Sequence, residues 1–209
     1  MRTPPSLRRI VLGDPSTAWA RLGFAVAGGE CRIGGVTLEL GGAGGGFAGW
    51  SLEGGGAGDV DGLATGWAAA ERAETEGAPH PNGARSIDHV VLSTGSLART
   101  TGALEAAGAE VRRVAERGGR RQAFLWLGDV ICEVVEAPAP GAPARFWGLT
   151  VVVADLDTAV AAAPAAFGPA REAVQPGRRI APARREAGLG VALALITPHR
   201  RTGFEPGSD

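Results

Sequence analysis

The run Ser86-Ile87-Asp88-His89-Val90-Val91-Leu92 sets Asp88 and His89 inside a largely apolar segment of strand length. A helix-period stretch follows, with apolar residues at Leu97, Ala103, Leu104 and Ala107, and Gly108 stops it. Next come Gln122-Ala-Phe-Leu-Trp-Leu127, a Gly128-Asp129 turn and Val130-Ile-Cys-Glu-Val-Val-Glu136. With a further strand accommodated at 109–114, residues 86–138 read as strand, helix and three strands. Such a βαβββ unit leaves one sheet face uncovered and needs a partner, which makes the fold class α+β with repeated modules.

Residues 8–40 read as a shortened copy. A strand at 8–12 leads into Asp14-Pro15, a helix start, and a helix at 16–22 closed by Gly23. Residues 24–26 are strand-like, and 30–33 with 36–40 form a hairpin. The segment RLGFAV (21–26) parallels AAGAEV (106–111), and GGVTLEL (34–40) parallels GDVICEV (128–134). In this alignment Arg9 stands where His89 would be, while Glu39 matches Glu133. Residues 41–46 are a glycine loop, 47–53 a further strand echoing 144–155, and 59–70 a helix or connection. The polar stretch 71–85 is a linker in which His80 reads as a solvated loop histidine.

Beyond the central unit, 137–143 is a stiff proline-rich connector and 145–154 a strongly β-forming run. Asp155 caps a helix reaching about Ala166, and strands at 178–181 and 191–196 complete a third unit. The expected organisation is a degenerate N-terminal half (8–70), the linker, a paired-module domain (86–198) and a tail (199–209).

Composition bounds the function. With 209 residues, the chain has room for one or two compact domains. Net charge −1 and a pI near 6.3 give no electrostatic case for nucleic acid or a membrane surface. Every one of the 21 basic residues is arginine, scattered except at a few clusters. No apolar run approaches the roughly 18 residues of a membrane helix. The two cysteines, Cys31 and Cys132, both lie in strand-like runs and form no redox or zinc pattern. The expectation is a cytoplasmic protein whose partner is a small molecule, with a second copy as a candidate for module exchange.

The elements "IDHVVL" and "AFLWLGDVICEVVE", separated by one helix, resemble a module of the vicinal oxygen chelate superfamily. That superfamily includes glyoxalases, extradiol dioxygenases and bleomycin-type resistance proteins. The resemblance implies paired βαβββ modules whose sheets curl into a cup, with helices on the outer face. It places His89 and Glu133 at first-strand and last-strand metal-ligand positions. The corresponding places of the third unit fall on Gly148 and about Ala194, neither of which can coordinate a cation.

Two protein ligands are fewer than the three that catalytic metal sites commonly use. The expected function is therefore glyoxalase-like binding of a small organic ligand, anionic or aromatic, in the cup without a tightly held metal. One alternative is a divalent-metal-dependent lyase, isomerase or dioxygenase using His89 and Glu133. Another is a sequestering or carrier protein that performs no reaction. His89 reads either as a ligand or as a strand histidine hydrogen-bonded inside the cup.

Alternation groups Ile131, Glu133 and Val135 on one face, with Cys132 and Val134 behind them. On the preceding strand Gln122, Phe124 and Trp126 share a face suited to stacking on a flat ligand or to filling the core; Trp147 joins from the third unit. Arg120-Arg121 and Arg178-Arg179 precede strands in equivalent places, and Arg121 and Arg179 are the candidates for an anionic ligand. Glu133 in an apolar cup would act as a general base with His89 as its partner, a route that needs no metal.

Overall fold

The computed structural model describes residues 3–42, 45–56, 59–68, 77–137 and 139–199. Its elements are β1 (Ser6–Leu12), α1 (Ser16–Arg21), β2 (Glu30–Ile33), β3 (Val36–Leu40), β4 (Phe47–Glu53), β5 (Thr65–Ala68) and β6 (Ala84–Thr94). They continue with α2 (Leu97–Ala106), β7 (Val111–Arg117), β8 (Arg120–Leu127), β9 (Val130–Glu136), β10 (Arg145–Val153) and α3 (Leu156–Ala162). Three strands close the chain: β11 (Arg171–Glu172), β12 (Arg179–Pro182) and β13 (Ala192–Ile196).

Among the described residues the strands form two mixed sheets, a five-stranded one ordered β2-β3-β1-β4-β5 and an eight-stranded one ordered β11-β12-β13-β10-β6-β9-β8-β7. The larger sheet is internally paired. β6 and β10 run antiparallel at its centre, and each has a parallel neighbour, β9 and β13 respectively. The smaller sheet repeats this arrangement with fewer strands: β1 and β4 are antiparallel, flanked by parallel β3 and β5. A helix follows β1, β6 and β10, whereas among the described residues none lies between β4 and β5, so 8–40 shares its strand–helix start with the central module.

Burial follows strand alternation. Cys132, Val134, Ala123, Leu125 and Leu127 are buried with Leu97, Thr100 and Leu104 of α2. Fully burying each of the valine and leucine side chains contributes roughly 1.5–3 kcal/mol. Burial also pushes the Cys31 and Cys132 thiols up to about 12, leaving them inert. The Ser96 and Asp155 side chains accept from Arg99 N–H and Thr158 N–H and so cap α2 and α3. Gly108, at φ 100°, ends α2 in a backbone state that costs other residues.

Several local expectations are corrected. Residues 24–26 form no strand. Asp14 does not cap α1; buried, it accepts from Trp19 Nε1 at 3.1 Å and from Gly190 N–H at 2.8 Å, joining the small sheet to the large one. Residues 59–68 contain β5 rather than a helix, because Trp50 and Leu52 offer β5 a parallel edge. The two-residue β11 was not foreseen. Residues 43–44 of the glycine loop, 69–76 of the connection and linker, Pro138 and the tail from 200 lie outside the described residues.

His80 is not a solvated loop residue. Its Nδ1 accepts from Ala25 N–H at 2.9 Å and its Nε2 donates to Arg32 carbonyl at 2.8 Å, edge-on to Phe24. Burial holds its pKa below the ordinary value of 6.5, against the pull of the Arg32 carbonyl. The unfolded chain therefore binds this proton more readily than the folded one. The contribution is full above pH 6.5 and is lost as pH falls through that value toward the lower folded one. Urea unfolding between pH 8 and pH 5 should show this loss, and His80→Gln should flatten it at a cost of about 1–3 kcal/mol at pH 8. An unchanged slope in the variant contradicts this.

Candidate functional site

Register places the chemistry on one face of the large sheet. His89 pairs with Ile131, Val91 with Glu133 and Ser93 with Val135 across the parallel β6–β9 seam. On the far side of β9, Phe124 stands opposite Glu133, Trp126 opposite Ile131 and Gln122 opposite Val135. On the near side Thr150 of β10 stands opposite His89. The face borders two adjoining, half-open pockets of about 540 Å³ and about 500 Å³, the two lobes of its hollow. The first is walled by Phe124, Trp126 and Gln122 with Arg112, Arg113 and Arg117. The second is mostly apolar, with Val91, Val135, Leu149 and Ala194, and has Arg120 and Arg171 on its border. Three residues, His89, Glu133 and Ile180, line both.

A β-bulge creates the polar core of the site. Thr150 faces His89 and Val151 faces Ile87, so Asp88 is an extra residue on β6 without a register partner. Bulges re-aim side chains, and here the Asp88 carboxylate turns toward its neighbour's ring. His89 Nδ1 lies 2.9 Å from Asp88 Oδ2, and His89 Nε2 lies 3.0 Å from Thr150 Oγ1. Arg178, 2% exposed, donates to Asp88 Oδ1 at 2.7 Å and through Nε to the Thr197 carbonyl at 2.9 Å. Burial alone would raise the Asp88 pKa. Hydrogen bonds from His89 and Arg178 overcome it and hold the group at about 2. Glu133 lies on the other side of that balance: burial pushes it up, only partly offset by the nearby His89 and Arg117.

Gln122, Phe124 and Trp126 share the first lobe, and Trp147 reaches the second from its mouth, 60% exposed. Arg121 and Arg179 are corrections. Arg121 points away from the hollow, 4.0 Å from Glu136, and Arg179 pairs with Asp157 at 2.7 Å on the outside. Strand alternation puts Arg120, two residues before Gln122, on the cup face instead. Arg178 precedes β12 and turns into the protein toward Asp88. Sequence reasoning also missed Arg113 and Arg117, Thr150, and Asp88 as a partner of His89. Their register opposite Phe124 and Arg120 brings Arg113 and Arg117 to this face, but a register shift after Val111 hides that phase from alternation along 111–117; nothing local signalled the Asp88 bulge either.

The donor set does not fit a tightly held catalytic cation. By register, the positions of His89 and Glu133 recur in the second unit at Gly148 and Ala194, since Gly148 pairs with Ala192 as His89 pairs with Ile131. In the small sheet they recur at Arg9 and Glu39, where Arg9 pairs with Glu30 at 2.8 Å and Glu39 at 3.0 Å. Among the described residues no cluster of three His, Cys, Asp or Glu side chains is placed to hold a metal. His89 Nε2 is engaged by Thr150, and burial raises the Glu133 pKa, which works against the ionised form a cation needs.

No protein-family model and no curated protein matches this sequence. Among solved structures, it is similar to a xylose isomerase-like TIM barrel/4-hydroxyphenylpyruvate dioxygenase fusion protein at 11% identity and TM-score 0.63, over 99% of this chain and 50% of that one. It is also similar to methylmalonyl-CoA epimerase from Mycobacterium tuberculosis, at 17% identity and TM-score 0.44 over 54% of this chain and 87% of that one. Another methylmalonyl-CoA epimerase, in complex with methylmalonyl-CoA and NH4+, matches at 20% identity and TM-score 0.45 over 55% of this chain and 94% of that one. The first of these, with the paired-module topology, gives the class: this is an α+β protein with the vicinal oxygen chelate fold. No helix among the described residues is long and apolar enough to cross a membrane.

Proposed function

We propose that the eight-stranded cup binds a flat organic anion without a resident divalent ion, and that His89 and Glu133 form its proton-transfer pair. One observation carries this reading: His89 and Glu133, with Ile180, line both lobes of the hollow. A ligand spanning both lobes would therefore lie against an imidazole and a carboxyl group at its middle. Phe124 and Trp126 supply aromatic surface for stacking. Arg113 and Arg117 border the first lobe and Arg120 and Arg171 the second; among the described residues none of the four makes an ion pair. A carboxylate or phosphate would satisfy them. In the same reading residues 86–198 are the working domain, and 8–70 is a trimmed copy whose site was replaced by the Arg9–Glu30–Glu39 ion cluster.

Titration with 2-naphthoate, followed by tryptophan fluorescence, tests it. Saturable quenching is expected, reduced in Trp126→Phe and at least about tenfold weaker for the neutral 2-naphthylmethanol, about 1.4 kcal/mol. Equal binding of the alcohol would remove the anion from the proposal, and no saturable quenching would remove the cup. Dialysis against Mn, Fe, Ni and Zn should leave less than one equivalent bound. Stoichiometric metal that disappears in His89→Ala would instead establish the metal-dependent alternative.

A further inference from the structure

The structure assigns Asp88, itself clamped by Arg178, as the positioning residue that fixes which nitrogen of His89 carries the proton, so that the Nε2 lone pair is the proton acceptor of the cup. The catalytic use of that lone pair rests on the cup reading above; the tautomer does not. The two Asp88 oxygens have different partners. Oδ1 accepts from Arg178 at 2.7 Å and Oδ2 from His89 at 2.9 Å. An ionised carboxylate only accepts, so His89 Nδ1 carries the hydrogen, and the neutral ring presents its lone pair at Nε2. The Thr150 hydroxyl, 3.0 Å away, donates to that lone pair.

Arg178 has no freedom to offer Asp88 another face. Its Nε donates to the Thr197 carbonyl at 2.9 Å and one terminal nitrogen to Gln175 Oε1 at 2.6 Å, the same nitrogen lying 3.0 Å from His199 Nε2. Buried ion pairs are weak stabilisers because desolvation offsets their attraction, whereas supporting carboxylates commonly fix an imidazole's orientation and tautomer.

The proton step balances without any co-reactant. Once the Thr150 hydroxyl turns its own hydrogen away, His89 Nε2 forms a bond to a hydrogen leaving an O–H or C–H group of the ligand, and the electron pair of the broken bond stays on the ligand. The resulting imidazolium keeps its Nδ1–H on Asp88, which remains ionised. Glu133, the other member of the pair, lines the same two lobes and meets the ligand's reacting group as its hydrogen-bond partner. Return of the proton from Nε2 restores the resting state.

The test is 15N NMR of the ligand-free full chain with labelled histidines, assigned by His→Gln variants. His89 should show the Nδ1–H tautomer. His80 provides a contrast, since its Nδ1 accepts a backbone N–H and its hydrogen sits on Nε2. In Asp88→Asn, Arg178 keeps donating to the remaining oxygen and the amide NH2 faces Nδ1, so the His89 hydrogen should move to Nε2. Asp88→Glu should restore Nδ1–H. An Nε2–H signal in the unaltered protein, or an unchanged tautomer in folded Asp88→Asn, overturns the assignment. Should Asp88→Asn not fold, Thr150→Val decides: retention of Nδ1–H supports Asp88 as the setting group, and a switch to Nε2–H overturns it. Failure of the cup reading would appear in the naphthoate titration and leave these spectra unaffected.

Discussion

Replacing Arg178 by methionine is expected to lower the unfolding free energy by about 3–5 kcal/mol, the usual consequence of leaving a buried charge without its partner. The guanidinium is 2% exposed and supplies one of the two hydrogen bonds that keep Asp88 ionised inside the protein. Without it the carboxylate must take up a proton or remain uncompensated. Urea unfolding of Arg178→Met at pH 7 measures the loss. A double variant, Arg178→Met with Asp88→Leu, should recover much of it, because a charge absent from both sides needs no compensation. A single-variant cost below about 1 kcal/mol would show the pair to behave like an exposed surface ion pair, and the buried clamp would be wrong. A milder acid effect has the same origin: stability from Asp88 is full above the ordinary carboxylate pKa of 3.8 and is lost as pH falls toward about 2.

Filling the cup should have the largest effect on binding. Ala194 lines the second lobe at the register position that corresponds to Glu133. Phenylalanine there would project into open space rather than into packed core, so Ala194→Phe should fold normally, with a stability change under about 1.5 kcal/mol. The ring would occupy volume that a spanning ligand needs. Loss of about 1.4–2.8 kcal/mol of ligand burial corresponds to a tenfold to hundredfold weaker affinity for 2-naphthoate. Unchanged affinity in the folded variant would mean that ligands do not use the second lobe.

The features legible in the sequence were those with a period. Alternation along 122–127 and 130–136 put Phe124, Trp126 and Glu133 on one face and Leu125, Cys132 and Val134 on the other, as the strands do. The correspondence of Arg9 and Glu39 with His89 and Glu133 was also readable, and the parallel registers of β1–β3 and β6–β9 agree with it. What escaped depended on a phase or on a distant contact. Choosing Arg121 over Arg120 was a one-residue error in strand phase, which moves a side chain to the opposite face. The Asp88 bulge is invisible to alternation because it interrupts it. Arg178 and Asp88 are 90 residues apart, and His80 and Arg32 are 48 apart; no local pattern announces such pairs.

The central claim is that His89 and Glu133 face a hollow open to small anions. Chemical-shift mapping of the 15N-labelled chain during addition of 2-naphthoate tests it most directly. The prediction is a saturable set of shifts centred on Phe124, Trp126, Glu133 and His89, with β1–β5 unmoved. Shifts confined to the small sheet, or none at saturating naphthoate, would contradict it.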